Sequence, residues 1–234
     1  MEESSLETAQ RIFGDDLLGP EEICAALGAG PRVLERAHAD VSFVRVPFPP
    51  DWLRRAADQG MILTLRLARV GDAPLTLGGL ATHFPQGADP APADAWFERE
   101  PFARETCRPG WALFEKRPFA ASRNLTYAQQ TEALAERAAW FRMPLRRRTA
   151  VEIVYDTLLH AAIHGERLLV DEWDWSSSAT ADGAFVTAGQ FDERGLHLLR
   201  YSEAVRFDGL GICATVDPVA KARATVGFAG SGTV

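Results

Sequence analysis

The stretch from Thr149 to Gly165 constrains the fold more than any other part of the chain. Thr149-Ala150-Val151-Glu152 has the T-x-x-E form of a capping box, in which the threonine hydroxyl and the glutamate satisfy the first free amides of a helix. Gly165 stands where a helix closes in a left-handed turn. Between them, Val151, Val154, Tyr155, Leu158 and Ala162 form one stripe, while Ile153 and Ile163 fall on the opposite side. A helix that is apolar on two sides has to be covered on two sides. The spacing therefore predicts a helix near the centre of the molecule.

The flanking sequence says what covers it. After Gly165 the chain reads as strands over 168–175, 184–191, 196–201 and 210–216, separated by turn signals at 176–183, Asp192-Glu193-Arg194-Gly195 and Asp208-Gly209. Short links between successive strands imply an antiparallel meander. Before Thr149, a second capping box at Thr126-Tyr127-Ala128-Gln129 starts a helix with Tyr127, Leu134, Ala138 and Phe141 on one stripe, ended by Pro144. The N-terminal part reads as short helices to Phe13, from Pro20 to Gly28, and from Pro50 to Gly60. Strands are expected over 41–46, 61–69 and 111–116, and 75–84 suits either helix or strand. The expected class is α+β: a helix-rich N-terminal part, then a central helix pair packed on a largely antiparallel sheet. We expect one domain over 1–217, with a candidate sub-boundary in the Pro/Gly/Asp-rich loop 85–94, and a loosely held tail over 218–234.

Composition narrows the function classes. Hydrophobic residues make up 47% of the 234 and charged residues 24%, enough apolar surface to build a core. The net charge of −7 disfavours nucleic acid as a partner. No run approaches the roughly 20 apolar residues of a membrane helix. The acidic start Met1-Glu2-Glu3-Ser4-Ser5 lacks the apolar core of a signal peptide, so a cytoplasmic location is expected. Three widely spaced cysteines make neither a disulfide framework nor a zinc ribbon. Cys24 and Cys213 read as small buried hydrophobes. Cys107, beside Arg108 in a turn, is the one thiol with a cationic neighbour to activate it.

Three constellations can carry chemistry. His160 and His164 lie four apart on the central helix and can share a metal, with Asp156 one turn earlier as a third ligand. Ala161 stands where the zinc-peptidase pattern has its glutamate, so water activation lacks an agent, and no metal or other cofactor is expected. Asp171-Glu172-Trp173-Asp174-Trp175 places Asp171, Trp173 and Trp175 on one strand face and Glu172 and Asp174 on the other. Carboxylates beside tryptophans suit a sugar or cationic ligand. A strand with one indole in the core and its acids in water fits the same letters. Arg146-Arg147-Arg148, with Arg142 nearby, is the one dense basic run. A phosphate or acidic partner could dock there, although a solvated inter-helix turn is the simpler expectation. Gly209-Leu210-Gly211 lacks the third glycine of a dinucleotide fingerprint.

Two functions follow. The first is a non-catalytic adaptor or regulatory module that binds another protein through aromatics near loops, Trp52, Trp96, Phe97, Phe102 and Trp175, with Trp173 and the Arg146–Arg148 run as further contacts. The second is a hydrolase or metal-binding enzyme using His160 and His164 with Asp171 and Asp174. They differ in whether polar groups converge in a deep pocket.

Overall fold

The computed structural model describes residues 5–85 and 96–218. The N-terminal part holds the helices α1 (Ser5–Phe13), α2 (Pro20–Ala26), α3 (Pro31–Ala37), α4 (Pro50–Asp58) and α5 (Leu77–His83). It also holds the strands β1 (Leu17–Leu18), β2 (Met61–Arg66), β3 (Arg69–Val70) and β4 (Ala73–Pro74). Then come β5 (Gly110–Glu115), α6 (Tyr127–Phe141) and α7 (Ala150–His164), followed by β6 (Trp173–Ala179), β7 (Phe185–Asp192), β8 (Gly195–Tyr201), β9 (Leu210–Gly211) and β10 (Thr215–Val216). Proline occupies the first turn of α2, α3 and α4, where its missing N–H costs nothing. Both capping boxes form: Thr126 with Gln129, and Thr149 with Glu152. Gly165 ends α7 at φ 70°.

Two four-stranded sheets organise the chain, in the orders β1-β2-β5-β10 and β8-β7-β6-β9. Both are largely antiparallel; β1 on β2 and β9 on β6 are the parallel pairs. Helix α7 packs against β2 of the first sheet and against β6 and β7 of the second, so its two apolar sides are both covered. Eleven of its residues, Ala150 to His160 without a break, are buried. The α+β class expected from the sequence is the one observed.

A short crossing joins the sheets. The chain leaves β9 in the second sheet, runs through Ile212-Cys213-Ala214 and enters β10 in the first, and all three crossing residues are fully buried. Buried backbone amides need partners. Cys213 N donates to Asp174 Oδ1 at 2.8 Å, Ala214 N to Glu115 Oε2 at 2.9 Å, and Ile212 N to Ser122 Oγ at 3.0 Å. Side chains thus satisfy the three amides of the crossing, while the Ala214 and Ile212 carbonyls accept from the backbone N–H groups of Glu115 and Phe119. Gly189 allows a second close approach: a Cβ on it would lie 2.0 Å from Glu172 O and 2.7 Å from Trp173 Cα, so only glycine lets β7 lie this close to β6.

Several expected elements differ. The stretch 41–46 is irregular; it is pinned by Val46 N on Ser5 Oγ, Arg45 N on Ser42 Oγ and the Trp111 indole on Ser42 O. The expected strand over 210–216 is two short strands in different sheets. The ambiguous 75–84 stretch yields a helix, with the Thr76 hydroxyl capping Gly79 N. β6 begins at Trp173, not at 168, and runs on through Ser176–Ser178, which had read as a turn. Residues 86–94 of the expected loop and 219–234 of the expected tail lie outside the described residues.

Candidate functional site

Four of the charged groups that the sequence offered for chemistry, Arg146, Arg148, Asp156 and Asp174, meet between the sheets, where Arg66 and Glu152 join them and the charges neutralise one another. Arg66 on β2 donates from Nε and Nη2 to Asp156 on α7, at 2.9 and 2.6 Å. Its Nη1 lies 3.2 Å from Glu152 Oε1, an ion pair without hydrogen-bond alignment. Arg148 donates to Asp156 at 2.9 Å and, through Nε and Nη2, to Asp174 on β6 at 3.1 and 2.8 Å. Arg146 forks onto Glu152 at 2.7 Å twice and onto Asp217 at 2.9 and 2.8 Å. The lattice spans β2, α7 and β6, so it ties each sheet to the central helix. Burial would raise the Glu152 carboxyl, but Arg66 and Arg146 override it and hold the group at about 2. Asp174 is raised instead: desolvation outweighs Arg148 and the Cys213 amide.

The basic run is therefore not the solvated turn expected from its composition. Arg147 and Arg148 are 7% and 1% exposed. Arg147 donates to Gln130 Oε1, Trp175 O and Tyr127 O, and its guanidinium lies 3.9 Å from the Tyr127 ring centroid. Tyr127 in turn stacks on Phe185 and meets Trp175 edge-on. Only Arg146 keeps an exposed flank, and it is already paired with two carboxylates.

The other candidates separate. Asp156 is consumed by two arginines, so it is not available beside the histidines as a ligand. His160 is buried, its Nδ1 is 3.1 Å from Glu166 O, and burial lowers its pKa; the exposed His164 ring lies 4.8 Å away between centroids. Among the described residues no three of His, Cys, Asp or Glu are placed to hold a metal ion. Asp171 is at the surface, Glu172 pairs with Arg123, and Asp174 sits in the core, so the acidic segment forms no paired-carboxylate cleft and its acids are not all in water. Cys107 is not the activated thiol that its place beside Arg108 suggested. It is buried against Val151 O, and burial pushes its thiol far up despite Arg66 nearby.

Of the expected aromatic anchors, Phe102 and Trp175 are core residues. Trp96 and Trp173, far apart in sequence, come together in one cleft of about 350 Å³. Its walls are Leu77 and Ala81 of α5, Val154 and Leu158 of α7, Phe97, and Leu196–Leu199 along β8. Its polar groups, Gln190, Asp192, Arg194 and His197, belong to the β7–β8 corner. The Trp96 indole donates to Leu198 O at 3.2 Å and so covers part of the outer edge of β8.

One exposed aromatic was absent from the sequence-derived set. Trp140, near the end of α6, is 64% exposed, with its ring edge-on to Phe141. The signal was available: Trp140 lies off the Tyr127–Leu134–Ala138–Phe141 stripe, so an indole falls on the solvent side of a helix. Glu132 and Glu136 precede it at i−8 and i−4 on the same exposed face, among Ala128, Ala135 and Ala139.

Compared with protein-family models, curated proteins and solved structures, the chain gives no match. Among the described residues no helix is long and apolar enough to cross a membrane.

Proposed function

We propose that the chain is a non-catalytic module, an adaptor or regulator, that binds another protein through the exposed face of α6. The observation that carries this reading is Trp140. An indole left 64% in water is the residue type that most often anchors a protein interface. The small side chains of Ala135 and Ala139 allow close approach beside it, and Glu132 and Glu136 favour a partner with basic residues at the rim. Burying the indole in a partner is worth about 2–4 kcal/mol.

The interior supports the same reading. The carboxylates and guanidiniums that a hydrolase would need at a pocket are paired in a sealed layer instead. Arg147 and Arg148 are not on the surface to meet a phosphate backbone, which makes nucleic acid the weaker partner. Three free, buried thiols suit a reducing compartment such as the cytoplasm.

The test has two stages. A photo-crosslinking amino acid at Ala139, in the native host, identifies a partner, with the same group at exposed Arg54 as control. The partner is then purified and titrated calorimetrically against wild type, Trp140→Ala and Arg54→Ala. Trp140→Ala is expected to weaken binding by about 30-fold or more. Equal affinities for all three chains would overturn the assignment of α6.

A further inference from the structure

We propose that His38 is a proton-operated latch, which holds the β3–β4 hairpin against α3 at neutral pH and lets it go in acid. The latch lies away from the α6 face and does not depend on the reading above. His38 closes the C-terminal end of α3, and its ring is buried. Both ring nitrogens are engaged: Nδ1 lies 2.9 Å from Leu34 O, and Nε2 lies 2.9 Å from Ala68 N, in the link between β2 and β3.

The partners fix the proton. A carbonyl oxygen can only accept, so Nδ1 carries the hydrogen and donates to Leu34. A backbone N–H can only donate, so Nε2 is bare and accepts from Ala68. A second proton has one place to go, Nε2, where it would face the Ala68 N–H. Protonation therefore breaks the bond to the hairpin side and spares the bond to α3. The charges around the ring add to this. Arg69 on β3, whose Nε donates to Ala37 O at 3.0 Å, repels an imidazolium. Arg36 and Asp40 from the α3 side and Asp72 from the hairpin line the same cleft; the third wall, Thr106 and Pro109, brings no charge. Among the described residues no carboxylate pairs with the ring. Burial, more than Arg69, holds the imidazole below its usual 6.5. The cleft of about 460 Å³ that reaches the ring gives a proton its route. The buried His160 differs: its Nδ1 meets Glu166 O, and no backbone amide donates to its ring among the described residues.

The sign follows from the two states. The open latch titrates near 6.5 and the closed latch lower, so the latch is fully effective above about pH 6.5 and weakens as the pH falls from there. Two measurements test it. In ¹⁵N-histidine-labelled chain, long-range proton–nitrogen spectra should show His38 as the Nδ1–H tautomer, titrating below 6.5; this reading needs no variant. Hydrogen exchange, corrected for intrinsic rates, should show Ala68 losing about four-fold of its protection between about pH 7 and about pH 5.5, with the amides of α7 as reference. In His38→Gln the side-chain oxygen can still accept from Ala68 but does not titrate, so that extra loss should vanish. An Nε2–H tautomer, titration at or above 6.5, protection at Ala68 that merely follows α7, or the same acid loss in His38→Gln would each overturn the proposal.

Discussion

Replacing Arg148 by methionine tests whether the charges between the sheets hold the fold. The guanidinium is 1% exposed and makes three hydrogen bonds, two to Asp174 and one to Asp156. Methionine restores much of the volume but none of the donors. Asp156 keeps Arg66, while Asp174 keeps only the Cys213 amide. Stranding one partner of a buried ion pair costs about 3–5 kcal/mol. Asp174 is already raised by burial and can take up a proton, which places the loss at the lower end of that range. Against a total stability of about 5–15 kcal/mol, this is a large fraction. The expected fall in Tm is about 10 °C. Urea unfolding followed by fluorescence and by far-ultraviolet circular dichroism reads the change. Arg148→Met/Asp174→Asn removes the stranded charge while keeping an acceptor for the Cys213 amide, and should recover about 1–2 kcal/mol. A loss below about 1 kcal/mol in the single variant, or simple additivity in the double, would refute the reasoning.

Three further outcomes are expected. Glu152 sits near 2, below its usual 4.5, so its contribution is complete above pH 4.5 and fades as the pH falls toward 2. The raised carboxyls Asp174 and Glu115 act in the opposite sense, so the comparison is with Glu152→Gln. Wild type should lose about 3 kcal/mol more than the variant across that window, measured by urea titration at each pH, and parallel curves would count against it. Cys24, Cys107 and Cys213 are all buried with raised thiols, so a disulfide reagent should label the native chain only as fast as it opens, and rapid labelling of Cys107 would contradict its placement. Gly189→Ala should destabilise by about 3 kcal/mol or more, because its methyl meets the Glu172 carbonyl; an unchanged urea midpoint would show that β6 and β7 can separate there.

Local signals were legible because they act over a few residues. Both capping boxes, the Gly165 stop and the two-sided apolar pattern of α7 appear as read, and that pattern correctly implied cover on two sides. Pairings across long separations were not legible. Nothing in Arg146-Arg147-Arg148 announces that Asp156, Asp174 and Asp217 wait inside to neutralise it, so a run of arginines read as solvated. The 210–216 segment hid its crossing for the same reason: its amides are satisfied by Ser122, Asp174 and Glu115 from elsewhere in the chain. Trp96 and Trp173 were each singled out as binding residues, but only the folded chain brings them into one cleft. Trp140 was missed although helical spacing already put it on the solvent side.

Hydrogen exchange of the chain, alone and with the partner identified at Ala139, tests the proposed docking surface on α6 most directly. Added protection is expected in α6 around Trp140, lost in Trp140→Ala, with the amides of α7 unchanged. Protection that leaves α6 untouched and falls instead on the β7–β8 corner would contradict it.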